Sequence, residues 1–333
     1  MKRLHAVAGY MMLLIILLTG LIGCEGSDNG GILAPLSEDN VNETLEWAEQ
    51  TIPGCRLTGT AAMPTSAALM QAAINESNIS SQIDADAPPF QRILGNCPGS
   101  PGELTITRLQ GHADGLKEGL QRATYVFDNL CIIDESLGIP QEVTINGIFI
   151  EQTEKDSDDP DAPVHRQTAR TDGKIKVTSP DETIWIALND YNLAYGSPGE
   201  TPSRNHPDEL TIKTLSFEFQ KENTKHSLRN IRADIYEEGD SRVIDIFQGR
   251  YYIGSRPYLK LFTDPPLLFN KTSENLTGGA LVFSGARGAR ATVAPSAQSA
   301  AVFEFKFNGK PLDRNLDCTD FDMPILNILT DLL

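Results

Sequence analysis

The sequence predicts a mainly β protein: antiparallel sheets, arranged as a sandwich or an incomplete barrel, with short helices near the N-terminus. Three observations carry that prediction. From residue 100 onward apolar side chains recur at every second position, the period that turns one strand face to a core and the other to water. In one segment Leu215, Phe217 and Phe219 alternate with Ser216, Glu218 and Gln220; in another Phe303, Phe305 and Phe307 alternate with Val302, Glu304 and Lys306. The alternating segments are short and punctuated by Gly, Pro, Asn and Asp, residues that close turns. No helical stretch long enough for a crossover lies between them, and parallel strands need one.

The N-terminus has a different pattern. Lys2 and Arg3 open the chain, every residue from Met11 to Leu18 is apolar, and Leu21-Ile22-Gly23 leads into Cys24. A basic start, an apolar run and a small-residue cleavage site make an export signal. The apolar stretch from Val7 to Ile22 has 16 residues, fewer than the roughly 20 of a membrane-spanning helix. With Leu21-Ile22-Gly23-Cys24 as its cleavage site, the segment resembles the bacterial lipoprotein signal. The resemblance implies that residues 1–23 are removed and that Cys24 becomes the lipidated first residue, carrying a diacylglyceryl thioether and an N-acyl chain such as palmitate. One chain holds a protein to a membrane only marginally, and stable anchoring takes a second. Glu25, where inner-membrane lipoproteins carry Asp, implies sorting to the cell outer membrane, facing the periplasm or the exterior.

Residues 24–40 are rich in Gly, Asp and Ser and read as a flexible tether. Residues 41–84 read as a short helical segment. Asn42 or Thr44 is placed to cap a helix through Leu45, Trp47 and Ala48, and Met63-Pro64 opens an Ala-rich run with Leu69, Met70, Ala73 and Ile74. A first β region is expected over 85–190, from segments such as ELTITRL, ATYVFDNLC, EVTINGIFI and TIWIAL. Residues 191–209 read as a loop or linker and 210–333 as a second β region, with IRADIY, RVIDIFQG, YLKLF and ALVFSG among its strands. The stretch 151–163 reads as an acidic loop.

Composition narrows the function. The formal charge of −17 becomes −19 once Lys2 and Arg3 leave with the signal. So acidic a chain repels phosphate backbones, which argues against a nucleic-acid partner, and it leaves the acyl anchor as the expected membrane contact. With Cys24 lipidated, Cys55, Cys97, Cys131 and Cys318 remain, an even number that suggests two disulfides in an exported chain. Three pairings are possible; Cys97 and Cys131 look like local partners flanking the first strand pair, which would leave Cys55 to meet Cys318.

Motifs with chemistry are sparse. The Gly-x-Ser-x-Gly elbow, His-Glu-x-x-His and a Gly-Lys-Ser/Thr phosphate loop are missing from the sequence, and GARGAR at 285–290 reads as a hairpin turn. No cofactor is expected. Asp156, Asp158, Asp159 and Asp161 offer hard oxygen ligands for Ca²⁺, without a recognised loop spacing. His112, His165, His206 and His226 fall in polar segments and are expected at the surface. Asp234 and Asp245 are the carboxylate pair best placed for glycosidic hydrolysis. Trp185, Tyr191, Tyr195, Tyr251 and Tyr252 are candidates to stack on a glycan or protein partner, and packing in the core or at its rim accounts for them equally well. NCPGSPGELTI, ATYVFDNLC and VTINGIFI are similar to segments of uncharacterised Gram-negative β-rich envelope lipoproteins, as are FQGRYYIGSRPYLKLFTDPPLLF and GGALVFSGARGARATVAP. That resemblance implies export and β architecture and brings no catalytic residues. The expectation is a lipid-anchored envelope protein with a non-catalytic binding or structural role. An extracytoplasmic hydrolase and a carrier of apolar cargo are the alternatives.

Overall fold

The computed structural model describes residues 33–37, 41, 89–134, 141–178, 180, 183–220, 224–272, 276–296 and 302–317. The signal segment, most of the tether, the two expected helices, Cys24, Cys55 and Cys318 lie outside them. Seventeen strands follow in chain order: β1 Phe90–Leu94, β2 Glu103–Gln110, β3 Leu120–Asp134, β4 Gln141–Lys155, β5 Val164–Thr171, β6 Ile175–Thr178, β7 Thr183–Ala194, β8 Asp208–Phe219, β9 Thr224–Glu238, β10 Ser241–Ile253, β11 Leu259–Thr263, β12 Leu267–Asn270, β13 Leu276–Gly278, β14 Leu281–Ser284, β15 Arg290–Pro295, β16 Val302–Phe307 and β17 Lys310–Asp317. Among the described residues no helix is long and apolar enough to cross a membrane.

Among the described residues all strand pairings are antiparallel, and all but β4–β6, β5–β7, β10–β12 and β11–β14 join consecutive strands, so the seventeen form one meandering sheet. Three places in the meander are each filled by two consecutive strands with a break between them. β5 and β6 together lie against β4, β11 and β12 against β10, and β13 and β14 against β12 and β11. In the stretch 191–209, expected as a loop or linker, residues 195–207 form the loop of a hairpin: β7 and β8 match over ten residue pairs, from Ile184↔Phe219 to Ala194↔Glu209. The stretch 151–163, expected as a loop, is strand as far as Lys155 and again from Val164.

One face of the sheet is buried, and its pattern shows how long strands cross from one end of the sheet to the other. In β7 the buried apolar residues with clear alternation are Ile184, Ile186 and Leu188, then Tyr191 and Leu193; in β8 they are Leu210 and Ile212, then Leu215 and Phe217. The buried positions change from even to odd in mid-strand, or from odd to even, because an irregularity inserts one residue. β3 and β9 change in the same way, from Phe127 to Leu130 and from Leu228 to Ile231. An extra residue restores the inward face after a bend, and bulges of this kind sharpen the local twist.

These irregularities are in register with one another. The shift in β3 between Phe127 and Leu130 lies beside Gly147 of β4, which faces the β5–β6 break at 172–174. Asp190 of β7 falls opposite Lys213 of β8, between matched pairs on either side, and Lys213 falls opposite Asn230 of β9. The shifts in β10 around Gln248 follow, then the breaks at 264–266 and 279–280. A crease therefore runs perpendicular to the strands from β3 to β14. Asn129, Asp190 and Asn230 sit on it with φ of 49°, 50° and 53°, a conformation that Asn and Asp tolerate better than other non-glycine residues. At Gly147, φ is 139° and a Cβ would stand 2.9 Å from the Cα of Ile175, so only glycine fits. The break at 264–266 contains Pro265 and Pro266, which have no N–H for a ladder.

The Cys97–Cys131 disulfide forms as the sequence suggested, with Cα atoms 5.5 Å apart, and joins the β1–β2 turn to β3. Leu33–Ser37, within the expected tether, is docked on the sheet: Leu33 bridges Tyr258, the Ala34 N–H donates to the Tyr258 carbonyl at 2.8 Å, and the Ala286 N–H donates to the Ala34 carbonyl at 2.8 Å. Replacing Asn230 by Val, which disfavours positive φ, should cost about 1–2 kcal/mol, whereas Asn230→Gly should leave stability within about 0.5 kcal/mol of wild type. Urea denaturation of the two variants beside wild type reads both values.

Candidate functional site

The strongest concentration of unusual chemistry lies on the inward face, at the sheet end away from the Leu33 docking point. The period-two rule that buries Val143, Ile145 and Phe149 of β4 also turns Glu151 inward. Its cross-strand neighbours are Ala123 of β3 and Ala169 of β5, both buried and too small to cover it. The Tyr125 hydroxyl donates to Glu151 Oε1 at 2.5 Å, while Oε2 is buried with no hydrogen-bond partner. Burial raises the carboxyl from the ordinary 4.5 to about 7, against the Tyr125 hydrogen bond and the charge of Arg108, which both lower it. Burial, and then the charge of Glu151, keep the Tyr125 phenol protonated far above its usual range.

The same face carries a second polar pair. The Tyr195 hydroxyl donates to Gln167 Oε1 at 2.5 Å, and the buried Asp208 accepts from the Gly196 N–H at 3.0 Å. Burial raises the Asp208 carboxyl, although the Gly196 N–H and Arg242 lower it. A lone buried carboxylate oxygen carries a desolvation cost of about 1–3 kcal/mol. Around pH 7 Glu151 can accept one more hydrogen bond or, protonated, donate one. Sequence reasoning assigned Glu151 to a loop. The missed signal was its parity, because it continues the odd-numbered inward series of VTINGIFIE.

The sequence-predicted residues are placed as follows. Asp234 of β9 and Asp245 of β10 are directly opposite one another, and Glu209 of β8 is directly opposite Asp234. They form a row of three carboxylates on the outward face. Asp234 is half-buried, and its carboxyl is raised by burial, by Glu209 and by Asp245. Asp245 accepts from the Thr263 hydroxyl at 3.1 Å.

The four aspartates of the acidic loop are directed elsewhere. Asp158 accepts from the Gly119 N–H at 2.7 Å and the His112 N–H at 3.4 Å, which ties the loop to the β2–β3 turn. Asp159 accepts from the Asp161 N–H at 2.9 Å, and Asp156 meets His165 Nε2 at 2.5 Å beside a polar depression lined by Lys117, Glu154 and Arg166. Among the described residues these four do not gather three ligand atoms around one point; the one such group is Cys97, Cys131 and Glu142, whose two sulfurs are joined as a disulfide.

Two expectations are corrected. His226 is not at the surface: it is 4% exposed and shares a 2.8 Å hydrogen bond with the Tyr251 hydroxyl, because β9 turns it onto the core beside β10. Tyr191 and Tyr251, at 1% exposure, are core residues and not stacking platforms. Against models of protein families, characterised proteins and solved structures, the chain has no match.

The sign of the Glu151 effect follows from proton binding. Between about pH 4.5 and 7 the native state holds more protons than the unfolded chain, so stability falls as pH rises through that window and levels off above it. Glu151→Gln removes this loss. The variant should match wild type near pH 4 and exceed it at pH 8 by up to roughly 3 kcal/mol, read by urea denaturation at both pH values. Tyr125→Phe removes a hydrogen bond that favours the carboxylate and should move the Glu151 titration above that of wild type, read by carboxyl carbon NMR.

Proposed function

We infer that this chain is a lipid-anchored protein of the cell outer membrane whose β body is a non-catalytic binding or structural module. The observation that carries the reading is the order of basic start, apolar run and Leu21-Ile22-Gly23-Cys24. Residue 33 is already attached to the sheet, so eight residues, 25–32, separate Cys24 from the body. The single continuous meander and its crease support an incomplete barrel over a sandwich of two separate sheets. The inward Glu151, held by a protonated phenol and flanked by two alanines, supports a hydrogen-bonding subsite for a ligand or partner segment. Glu151 and Tyr125 supply no activated nucleophile. The test is mass spectrometry of the mature N-terminus. The expected first residue is an acylated Cys24, with unprocessed precursor accumulating in Cys24→Ala; an unacylated start elsewhere overturns the reading.

A hydrolytic reading has one observation in its favour, the register match of Asp234 with Asp245. Directly opposite residues hold their Cβ atoms about 4.5–5.5 Å apart, close to the carboxyl separation of retaining glycosidases. Glycan hydrolysis by the purified protein, lost in both Asp234→Asn and Asp245→Asn, would favour it over a binding module.

A further inference from the structure

Within β9–β17 the charge is unevenly divided between the two ends of the strands. Residues 224–231, 249–263, 281–293 and 305–312 form the end of β9–β17 on the Leu33 side of the crease, and they contain nine Lys or Arg and no Asp or Glu. The same end of β3–β8 is mixed, with Glu142, Asp172 and Glu218 beside Lys174 and Lys176. At the other end, residues 110–120, 155–164, 194–209 and 232–245 contain fourteen Asp or Glu and five Lys or Arg. The basic residues are in register. Arg229 pairs with Arg250, Arg250 with Lys260, Lys260 with Ser284 and Ser284 with Arg290, so four cations fall on one row across five strands, with Arg229 and Arg290 exposed and Arg250 buried between them. Aromatic rings lie beneath the row: Arg229 is 4.5 Å from the centre of Tyr252, Arg250 4.8 Å from Tyr258 and Arg290 5.7 Å from Phe262. The carboxylates bordering this zone, Asp264 and Glu304, pair with Arg290 at 3.7 Å and with Lys306 at 3.3 Å.

The turns at this end extend the basic surface. Lys225 at the start of β9, Arg256 between β10 and β11, Arg287 between β14 and β15, and Lys310 between β16 and β17 are all exposed. Two of these turns hold the N-terminal segment, since Ala34 is bonded to Tyr258 and to Ala286. The chain coming from Cys24 therefore reaches the body between Arg256 and Arg287.

We propose that this basic end is a second membrane contact, which lies against anionic phospholipid headgroups next to the acyl anchor while the acidic end points away. The inference rests on the lipid-anchored reading of Cys24. An acyl anchor joined to a basic patch makes a two-signal attachment, and the anchor restricts the body to a short distance from the surface: eight residues reach at most about 30 Å. Each basic side chain near such a surface adds about fivefold in affinity. Repulsion of the acidic end then fixes which way the body faces.

The test uses the purified full-length lipidated protein on vesicles of pure phosphatidylcholine and on vesicles with phosphatidylglycerol added. Flotation with both vesicle types reads the acyl anchor. Hydrogen exchange of the amides in 254–257 and 285–289 reads the contact. Exchange there should slow severalfold on the anionic vesicles relative to the neutral ones at low salt. The difference should vanish in high salt and in the triple variant Lys225→Gln, Arg287→Asn, Lys310→Gln, whose three sites are exposed. Flotation with both vesicles and equal exchange on both would overturn this inference alone. Flotation with neither would overturn the lipid anchor and, with it, the orientation argued from it. Slower exchange that survives both salt and the triple variant would overturn the electrostatic contact.

Discussion

A sheet with one buried face must keep that face inward through every bend, and this protein does so by inserting a residue into strand after strand along one line. Four of the long strands change the parity of their buried positions at the crease. A bulge loses one or two ladder hydrogen bonds, at about 0.5–1.5 kcal/mol each, and one left-handed residue costs roughly another 1–2 kcal/mol. Without it, Tyr191 and Leu193 of β7 would turn to solvent, and each buried side chain of that size is worth about 1.5–3 kcal/mol. In β7, burial of the two side chains thus offsets a local cost of similar size. Because neighbouring strands share the line, the crease is a property of the whole sheet.

The crease also divides the chemistry of the molecule. On the side of the Leu33 docking point the inward face is filled by aromatic packing, with Tyr251 edge-on to Phe283 and stacked beside His226. On the other side the inward face includes Glu151, Gln167, Tyr195 and Asp208. The outward face follows the same division, with the row of cations on one side and the carboxylate row of Glu209, Asp234 and Asp245 on the other. From β9 onward the sheet is thus polarised along its strands. A net charge of −17 gives no hint of this, since a sum over the chain has no direction.

Much of the fold was legible because strand formation is local. Alternation in LSFEF and VFEFKF, turn residues between segments, and Cys97 and Cys131 flanking the first strand pair all operate over short distances in sequence. The turn made by GARGAR was legible for the same reason: Arg287 has a φ of 60° between Gly285 and Gly288, and the motif joins β14 to β15. The acidic loop was placed four to five residues early. Its charge density hid the fact that β4 continues to Lys155, and so Glu151 was misassigned. His226 could not be recognised as a core residue, because a polar ring gives no sign of whether its partner is water or another buried side chain.

The sequence by itself determined the β class, the antiparallel connectivity and the local disulfide, since each depends on residues close together in the chain. Only the tertiary structure decided that the two expected β regions are one sheet, that the irregularities of β3 to β14 fall on a single line, and that Glu151 faces inward. It alone decided that the scattered Arg and Lys of β9, β10, β11 and β15 meet in one row. Register is the physical reason: it is set by the pairing of strands far apart in sequence, and a shift of one residue would send each of these side chains to the opposite face.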